Sequence, residues 1–274
     1  MRRQSNPTQR SRRPCRRVLL GLLAALTLAV PARAARTVPV QIDGTELAAV
    51  CHLESGVTYV PLRALLNTLG GWELEWDSRQ RAAVAISGSS RLTASPAAGT
   101  VTVDGAARPG KVYVQEGVTY VPLRTTAELL GGTVEWDAYF QGAAVTSAGA
   151  EYNAVDFYWL SRIISAESRG EPLEGQIAVG NVVLERVENE DFPDTIPDVV
   201  FQQADGIVQF EPVENGTVYL DPAEQSVEAA KRTLAGEKTL EGAMFFYAPA
   251  LSEGVWINAN RTYLTTIGCH RFYL

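Results

Sequence analysis

Two periodicities divide the chain. Up to about residue 147, apolar and polar positions alternate in short runs; beyond it they recur every three or four residues. In the first stretch Val57 and Tyr59 fall on one face of an extended segment and Thr58 and Val60 on the other. Pro61 then leads to Ala64-Leu-Leu-Asn-Thr-Leu69, which supplies the apolar face of a short helix ended by Gly70. A second strand is expected around Trp72–Trp76 and a third around Ala82–Ile86, joined by a turn at Asp77-Ser78-Arg79. The order then returns. Val57-Thr-Tyr-Val-Pro-Leu-Arg63 recurs as Val118-Thr-Tyr-Val-Pro-Leu-Arg124, Gly70-Gly71 as Gly131-Gly132, and Glu75-Trp76-Asp77 as Glu135-Trp136-Asp137. This half is a duplicated β-α-β-β unit. Trp72, Trp76 and Trp136 have rings suited to stacking on sugars, but their place inside strand patterns predicts core packing.

After a short small-residue boundary at Ser147–Glu151, Val155, Trp159 and Ile163, with Leu160 and Ile164, mark one face of a helix. Glu167 follows Ile163 by four and Ile164 by three, so it continues that apolar stripe at the helix's C-terminal end. A carboxylate there must be paired, neutralised or used. Two readings follow: a general acid with a raised pKa at the lip of a cleft, or a carboxylate bridged to Arg162 or Arg169. Gln176–Val187 is apolar nearly all round and reads as a buried central helix. Asp221-Pro-Ala-Glu224 reads as a helix start with Asp221 as cap, running through Leu234 to Gly236. Gly242–Tyr247, Trp256-Ile257 and Leu264–Ile267 read as strands or extended segments.

The N-terminus changes the picture of charge. Seven arginines between Arg2 and Arg17, the apolar run Val18–Val30 and Ala32-Arg33-Ala34 predict an export leader over residues 1–34, cleaved after Ala34. Its removal takes eight arginines with it and lowers the formal charge from −7 to −15. So acidic a chain is a poor nucleic-acid partner, and attachment to an anionic wall would need a shaped groove. No later segment reads as an integral membrane span. Cys51 and Cys269 are too few for a disulfide framework. Cys51 beside His52 reads as a buried thiol next to a surface histidine, not a metal site.

The repeated half, about residues 38–147, resembles the copper amine oxidase N-terminal-like or "stalk" domain on its VTYVPLR, GG and EWD elements. The single histidine His52 and single cysteine Cys51 are too little for copper, and a spacer or targeting role is expected. The second half resembles the cell-wall hydrolase family of spore cortex-lytic (SleB-like) enzymes. The resemblance is carried by Trp159–Pro172, Gly175–Gly180, Val182–Val187, Phe192-Pro193, Gln209-Phe210, Phe245–Ala250, Trp256 and Ile267–Phe272. It implies a mostly helical, lysozyme-like catalytic domain over residues 151–274; with the leader (1–34) and the stalk repeats (35–147) ahead of it, the fold class expected is α+β. The family likeness also implies that the A-E-x-R-G-E glutamate, Glu167, is catalytic. The family's usual Asn residues are replaced by Glu185, Ala248 and Cys269.

The resemblance also implies a lytic transglycosylase cleaving the MurNAc–GlcNAc bond of spore cortex or cell wall, and one strong carboxylate suits that chemistry, which needs no cofactor and no metal. Glu171 could act as a second acid, but reads as a solvated loop charge. Gln209, Tyr247 and Trp256 are candidates to hold the glycan; His270 is a candidate cleft donor or a structural histidine. An inactive wall-binding scaffold and an ordinary muramidase are the rival readings. The partner expected is the peptidoglycan strand, and whether an accessory regulator exists is left open.

Overall fold

A computed structural model describes residues 35–204 and 206–274. The leader reading, on residues 1–34, lies outside the described residues. The described residues form one compact unit with mixed α+β structure.

The repeat is visible as symmetry. A five-stranded sheet runs in the order Arg36–Val38, Cys51–Glu54, Val57–Pro61, Val118–Pro122, Tyr113–Gln115. Its two central strands are the two copies of the VTYVP motif, antiparallel, with Val60 opposite Val121, Tyr59 opposite Pro122 and Pro61 opposite Tyr120. Val60 therefore faces its own counterpart, and Tyr59 and Pro61 each face the counterpart of the other, which places a local twofold axis at the Val60–Val121 pair. From each central strand the chain turns at once into a helix, α1 (Leu62–Leu69) or α2 (Leu123–Leu129). Both begin directly after the proline, two residues earlier than the apolar pattern suggested, because proline's fixed φ suits a helix entry. Gly70 ends α1 at φ 74°, ψ 162°, a conformation closed to side chains bearing Cβ.

Beyond each helix come the expected hairpins. Glu73–Asp77 pairs with Ala82–Ser87, and Thr133–Asp137 with Gly142–Thr146. The first hairpin extends into a five-stranded sheet through Ser90–Ser95, Thr100–Val103 and Ala106–Pro109. The second instead takes Val40–Ile42 alongside Gly142–Thr146 in parallel. The first core packs Val60, Val121, Leu65, Leu66 and Leu123 between these layers.

One expectation about this half is corrected. Trp72 packs against the core, but Trp76 is 47% exposed and Trp136 44%. Both lie on strands at a sheet edge. The core reaches Leu74 and Val134, which share the tryptophans' face, and stops there.

The second core is built on α3 (Ala154–Ser168), α4 (Leu173–Val187) and α7 (Glu224–Leu234), with the short helices α5 (Ile196–Val200), α6 (Glu211–Glu214) and α8 (Val255–Asn260) around them. Asn153 caps α3, its side-chain oxygen accepting from the N–H groups of Val155 and Asp156. Helix α4 is buried as the pattern required, and it approaches α7 closely at Gly180. A Cβ there would sit 2.7 Å from Thr233 Oγ1 and 2.9 Å from Ile164 Cδ1. Phe245–Tyr247, His270–Tyr273 and Tyr263–Ile267 close the domain as a three-stranded sheet.

Two boundaries differ from the sequence reading. Helix α7 starts at Glu224 behind Ala223, because the Ala223 N–H is taken by Ser165 Oγ at 3.0 Å, and Asp221 is released to pair with Arg162. Trp256-Ile257 is helical, not extended. Gly254 (φ 58°) turns the chain, and Asn258 holds the turn through Tyr247 Oη at 2.9 Å and the Glu253 carbonyl at 3.3 Å.

Candidate active site

Glu167 stands in the last turn of α3, half-buried, on the wall of a cavity of about 330 Å³. Arg162, Arg169, Glu211, Asn215 and Asp221 also line this cavity. The two arginines proposed as bridging partners do not bridge it. Arg162, buried at 3% exposure, pairs instead with Glu46 and Asp221, both at 3.2 Å. Among the described residues Glu167 belongs to no ion pair within 4.0 Å.

Burial therefore dominates its titration. The Glu167 pKa is pushed up to about 7, first by desolvation, then by the negative charge of Glu211, against an opposing pull from Arg186. Its place at the carbonyl end of a helix acts in the same direction as burial. A carboxyl that keeps its proton near neutrality can donate it, and can take it back once the leaving group has gone.

Arg186 and Glu211 were not singled out from the sequence. Arg186 lies on the otherwise apolar helix α4, and a cation in so buried a run is a readable signal. Its guanidinium is boxed by the rings of Phe192, Phe210 and Phe245 at 5.2, 5.0 and 5.5 Å, and its Nε donates to the Met244 carbonyl at 2.8 Å. Its Nη1 is buried without a hydrogen-bond partner. Burial lowers its pKa to about 10, and Glu167 pushes the other way. Glu211 opens α6 on an exposed turn, and nothing in the local pattern distinguishes it from a surface charge.

The other candidates are spread around the domain, and none lines the Glu167 cavity. Gln209 is exposed, its side chain donating to the Ile207 carbonyl at 3.3 Å. Tyr247 accepts from Asn258 at 2.9 Å, a bond that lowers its pKa. Trp256 is 57% exposed, with Arg261 over its ring at 5.1 Å. Arg261 also covers Phe245 at 4.2 Å, and Phe245 walls the Arg186 box, so an aromatic surface runs from that box out to Trp256. His270 is buried against Phe246 and Phe272, 3.7 Å from Glu171.

Glu171 itself is corrected. It is not a solvated charge: its side chain is 10% exposed, and Oε2 accepts the Cys269 N–H at 2.7 Å. It fastens the turn of the terminal hairpin to the start of α4. The extra carboxylate of Glu185 is met by Lys238 at 3.0 Å. Cys51 is a buried free thiol whose pKa burial raises to about 12, and Cys269 is free and exposed. Among the described residues no helix is long and apolar enough to cross a membrane.

The Cell Wall Hydrolase family model matches residues 170–273, beginning just past Glu167, and the copper amine oxidase N-terminal domain model matches 41–141 and 109–153. The spore cortex-lytic enzyme of Halalkalibacterium halodurans is 32% identical over 127 residues, covering 46% of this chain and 37% of that protein. That of Bacillus subtilis is 30% identical over 132 residues, covering 48% and 42%. The chain thus spans about two fifths of the length of these curated relatives. The cell wall hydrolase CwlJ of H. halodurans is 34% identical over 100 residues, 34% of this chain and 68% of that protein. The solved catalytic domain of the germination-specific lytic transglycosylase SleB from Bacillus anthracis is 31% identical and covers 45% of this chain and 98% of its own, at a TM-score of 0.41. On the extent and identity of the CwlJ match, the chain belongs to the cell wall hydrolase family.

Proposed function

We propose that this chain is an exported lytic transglycosylase of peptidoglycan, with Glu167 as its acid and base. The observation that carries the reading is the state of Glu167: cavity-lining, unpaired within 4.0 Å among the described residues, and titrating at about 7. The relatives named for cortex lysis support the substrate class, and the arginine-rich leader sequence supports export.

The reaction needs one proton, moved twice. Glu167 donates it to the oxygen joining MurNAc C1 to GlcNAc; the C1–O bond breaks with its electron pair on oxygen, and the GlcNAc hydroxyl departs. The glutamate, now a carboxylate, takes the proton of the muramic 6-hydroxyl as O6 attacks C1. The 1,6-anhydro ring closes, Glu167 is protonated again, and no water is consumed. Glu211 serves by charge: it keeps the proton on Glu167 in the resting site and stabilises the positive charge that develops at C1.

A second reading has one observation in its favour. Glu211 shares the cavity with Glu167, and two carboxylates across a glycosidic bond are the equipment of a hydrolase that activates water. Mass spectrometry of digested peptidoglycan separates the two. Anhydro-muramic ends support transglycosylation, and reducing muramic ends replace it with hydrolysis.

A further inference from the structure

We propose that the repeated region carries two equivalent glycan-binding grooves, one around Trp76 and one around Trp136, which hold the amino-sugar strand of the wall. The identity of the ligand rests on the reading of the chain as a glycan-cleaving enzyme; the existence of the paired grooves does not.

The first groove, about 580 Å³, lies between α1, the strand Glu73–Asp77 and the turn Gly117–Thr119 of the other copy. The second, about 310 Å³, lies between α2, the strand Thr133–Asp137 and the turn Gly56–Thr58. The repeat maps one onto the other: Arg63 onto Arg124, Glu75 onto Glu135, Trp76 onto Trp136, and Thr58 onto Thr119. Each groove borrows its far lip from the opposite copy, as the twofold at Val60–Val121 demands. Neither groove can form from a single copy.

The chemistry matches a pyranose strand. A single exposed tryptophan is ordinary, but the same ring exposed at matched places in both copies is not scatter. A half-exposed indole presents a flat apolar surface to the C–H face of a sugar. Beside it stands a guanidinium anchored on the tryptophan strand itself: Arg63 donates to the Leu74 carbonyl at 3.4 Å, and Arg124 to the Val134 carbonyl at 2.5 Å. An anchored guanidinium has further N–H groups for N-acetyl and hydroxyl oxygens, and Glu75 or Glu135 can accept from hydroxyls. A role in holding the fold does not account for the pair. Arg36 lies over Trp136 at 5.8 Å, but no corresponding cation lies over Trp76 among the described residues. The second groove also connects to the catalytic helix, because Glu135 accepts from Asn153, the cap of α3, at 2.8 Å.

Two linked weak sites multiply, so their loss should be more than additive, with avidity gains of roughly 10²-fold or more at stake. The test uses the whole chain carrying Glu167→Gln, so that binding is read without cutting, and insoluble peptidoglycan sacculi as the probe. Trp76→Ala and Trp136→Ala should each weaken co-sedimentation severalfold, and the double variant about tenfold or more. Peptide-free glycan strands should displace the parent chain. Trp→Leu at both sites, which keeps apolar bulk but not the flat ring, should match the alanine variants and guards against loss through misfolding. A folded double variant that binds sacculi like the parent overturns the proposal, as does parent binding that free glycan does not displace. Tryptophan-dependent binding without any cutting by the chain with Glu167 intact would leave the grooves standing and sink the catalytic reading instead.

Discussion

The indole Nε1 of Trp159 donates to Asp137 Oδ2 at 2.7 Å, with both residues buried. Asp137 closes the second EWD motif and Trp159 lies on the core-facing stripe of α3, so this bond fastens the helix that carries Glu167 to the repeat. The other oxygen of Asp137 accepts the N–H groups of Tyr139 and Phe140, both of which pack against the second core. Asp137→Ala should therefore lower stability by about 2–3 kcal/mol, since it strands a buried donor as well as losing the bond. Asp77→Ala, at the matching exposed turn, should cost well under half of that. Denaturant titration of both variants measures the difference.

The same fastening bears on residues 151–274 as a separate fragment. The sequence alone places all of the proposed chemistry there, but Ala144, Tyr139 and Phe140 belong to its core and Tyr158 Oη donates to Glu46 at 2.7 Å. The fragment should fold with a lower Tm than the longer chain, and its activity on soluble strands should fall as temperature rises toward that lower Tm. Matched thermal melts and activity-against-temperature curves check this.

Glu167→Gln should abolish nearly all cutting, because assistance by acid and base is worth about 10²–10⁴-fold. It should also stabilise the fold in a pH-dependent way. Folding raises the Glu167 pKa from 4.5 to about 7, so the folded state favours the protonated form, and the parent loses stability as pH rises from the lower value through the higher. Gln cannot ionise. The variant should be more stable than the parent at pH 8, by on the order of 1–2 kcal/mol once partial exposure is allowed for, and nearly equal at pH 4. Equal Tm differences at both pH values would show that Glu167 is not desolvated. By the same titration, parent activity should fall as pH rises through about 7.

Removing the charge of Arg186 takes away the one opposing pull on Glu167. Arg186→Met should shift the alkaline limb of the pH–rate profile upward, because the acid holds its proton more tightly. It should also destabilise the chain, through the lost bond to the Met244 carbonyl. The profile distinguishes this electrostatic role from a purely structural one, which would lower the rate without moving its pH dependence.

Glu171→Ala should cost about 1–3 kcal/mol by stranding the Cys269 N–H and loosening the terminal hairpin. At temperatures where the variant stays folded, its products should be unchanged. A switch in the anhydro fraction of those products would give Glu171 a part in the chemistry.

How much of this could be read in advance depended on whether the chain or its surroundings set the outcome. Glu167 was legible because helical spacing alone puts it on the face of Ile163 and Ile164, and the central helix because its residues are apolar on every side. The exposure of Trp76 and Trp136 was not, since a strand's pattern does not say where a core ends along its face. Helix α8 was hidden because Trp256-Ile257 is too short an apolar run to separate strand from helix, and the turn at Gly254 decided it. The solvated reading of Glu171 failed for a similar reason: its partner, the Cys269 N–H, lies 98 residues away in sequence.

Helix α3 holds Asp137 through Trp159 near its middle and carries Glu167 in its last turn, eight residues further on. At 1.5 Å per residue the two are about 12 Å apart along a rigid rod, a little more than the length of two sugar rings. A strand gripped on the repeat would therefore meet the acid at a set offset from the grip, and α3 would act as a measuring rod. Lengthening or shortening the helix by one full turn would then change where the cut falls along the strand, not only how fast it is made.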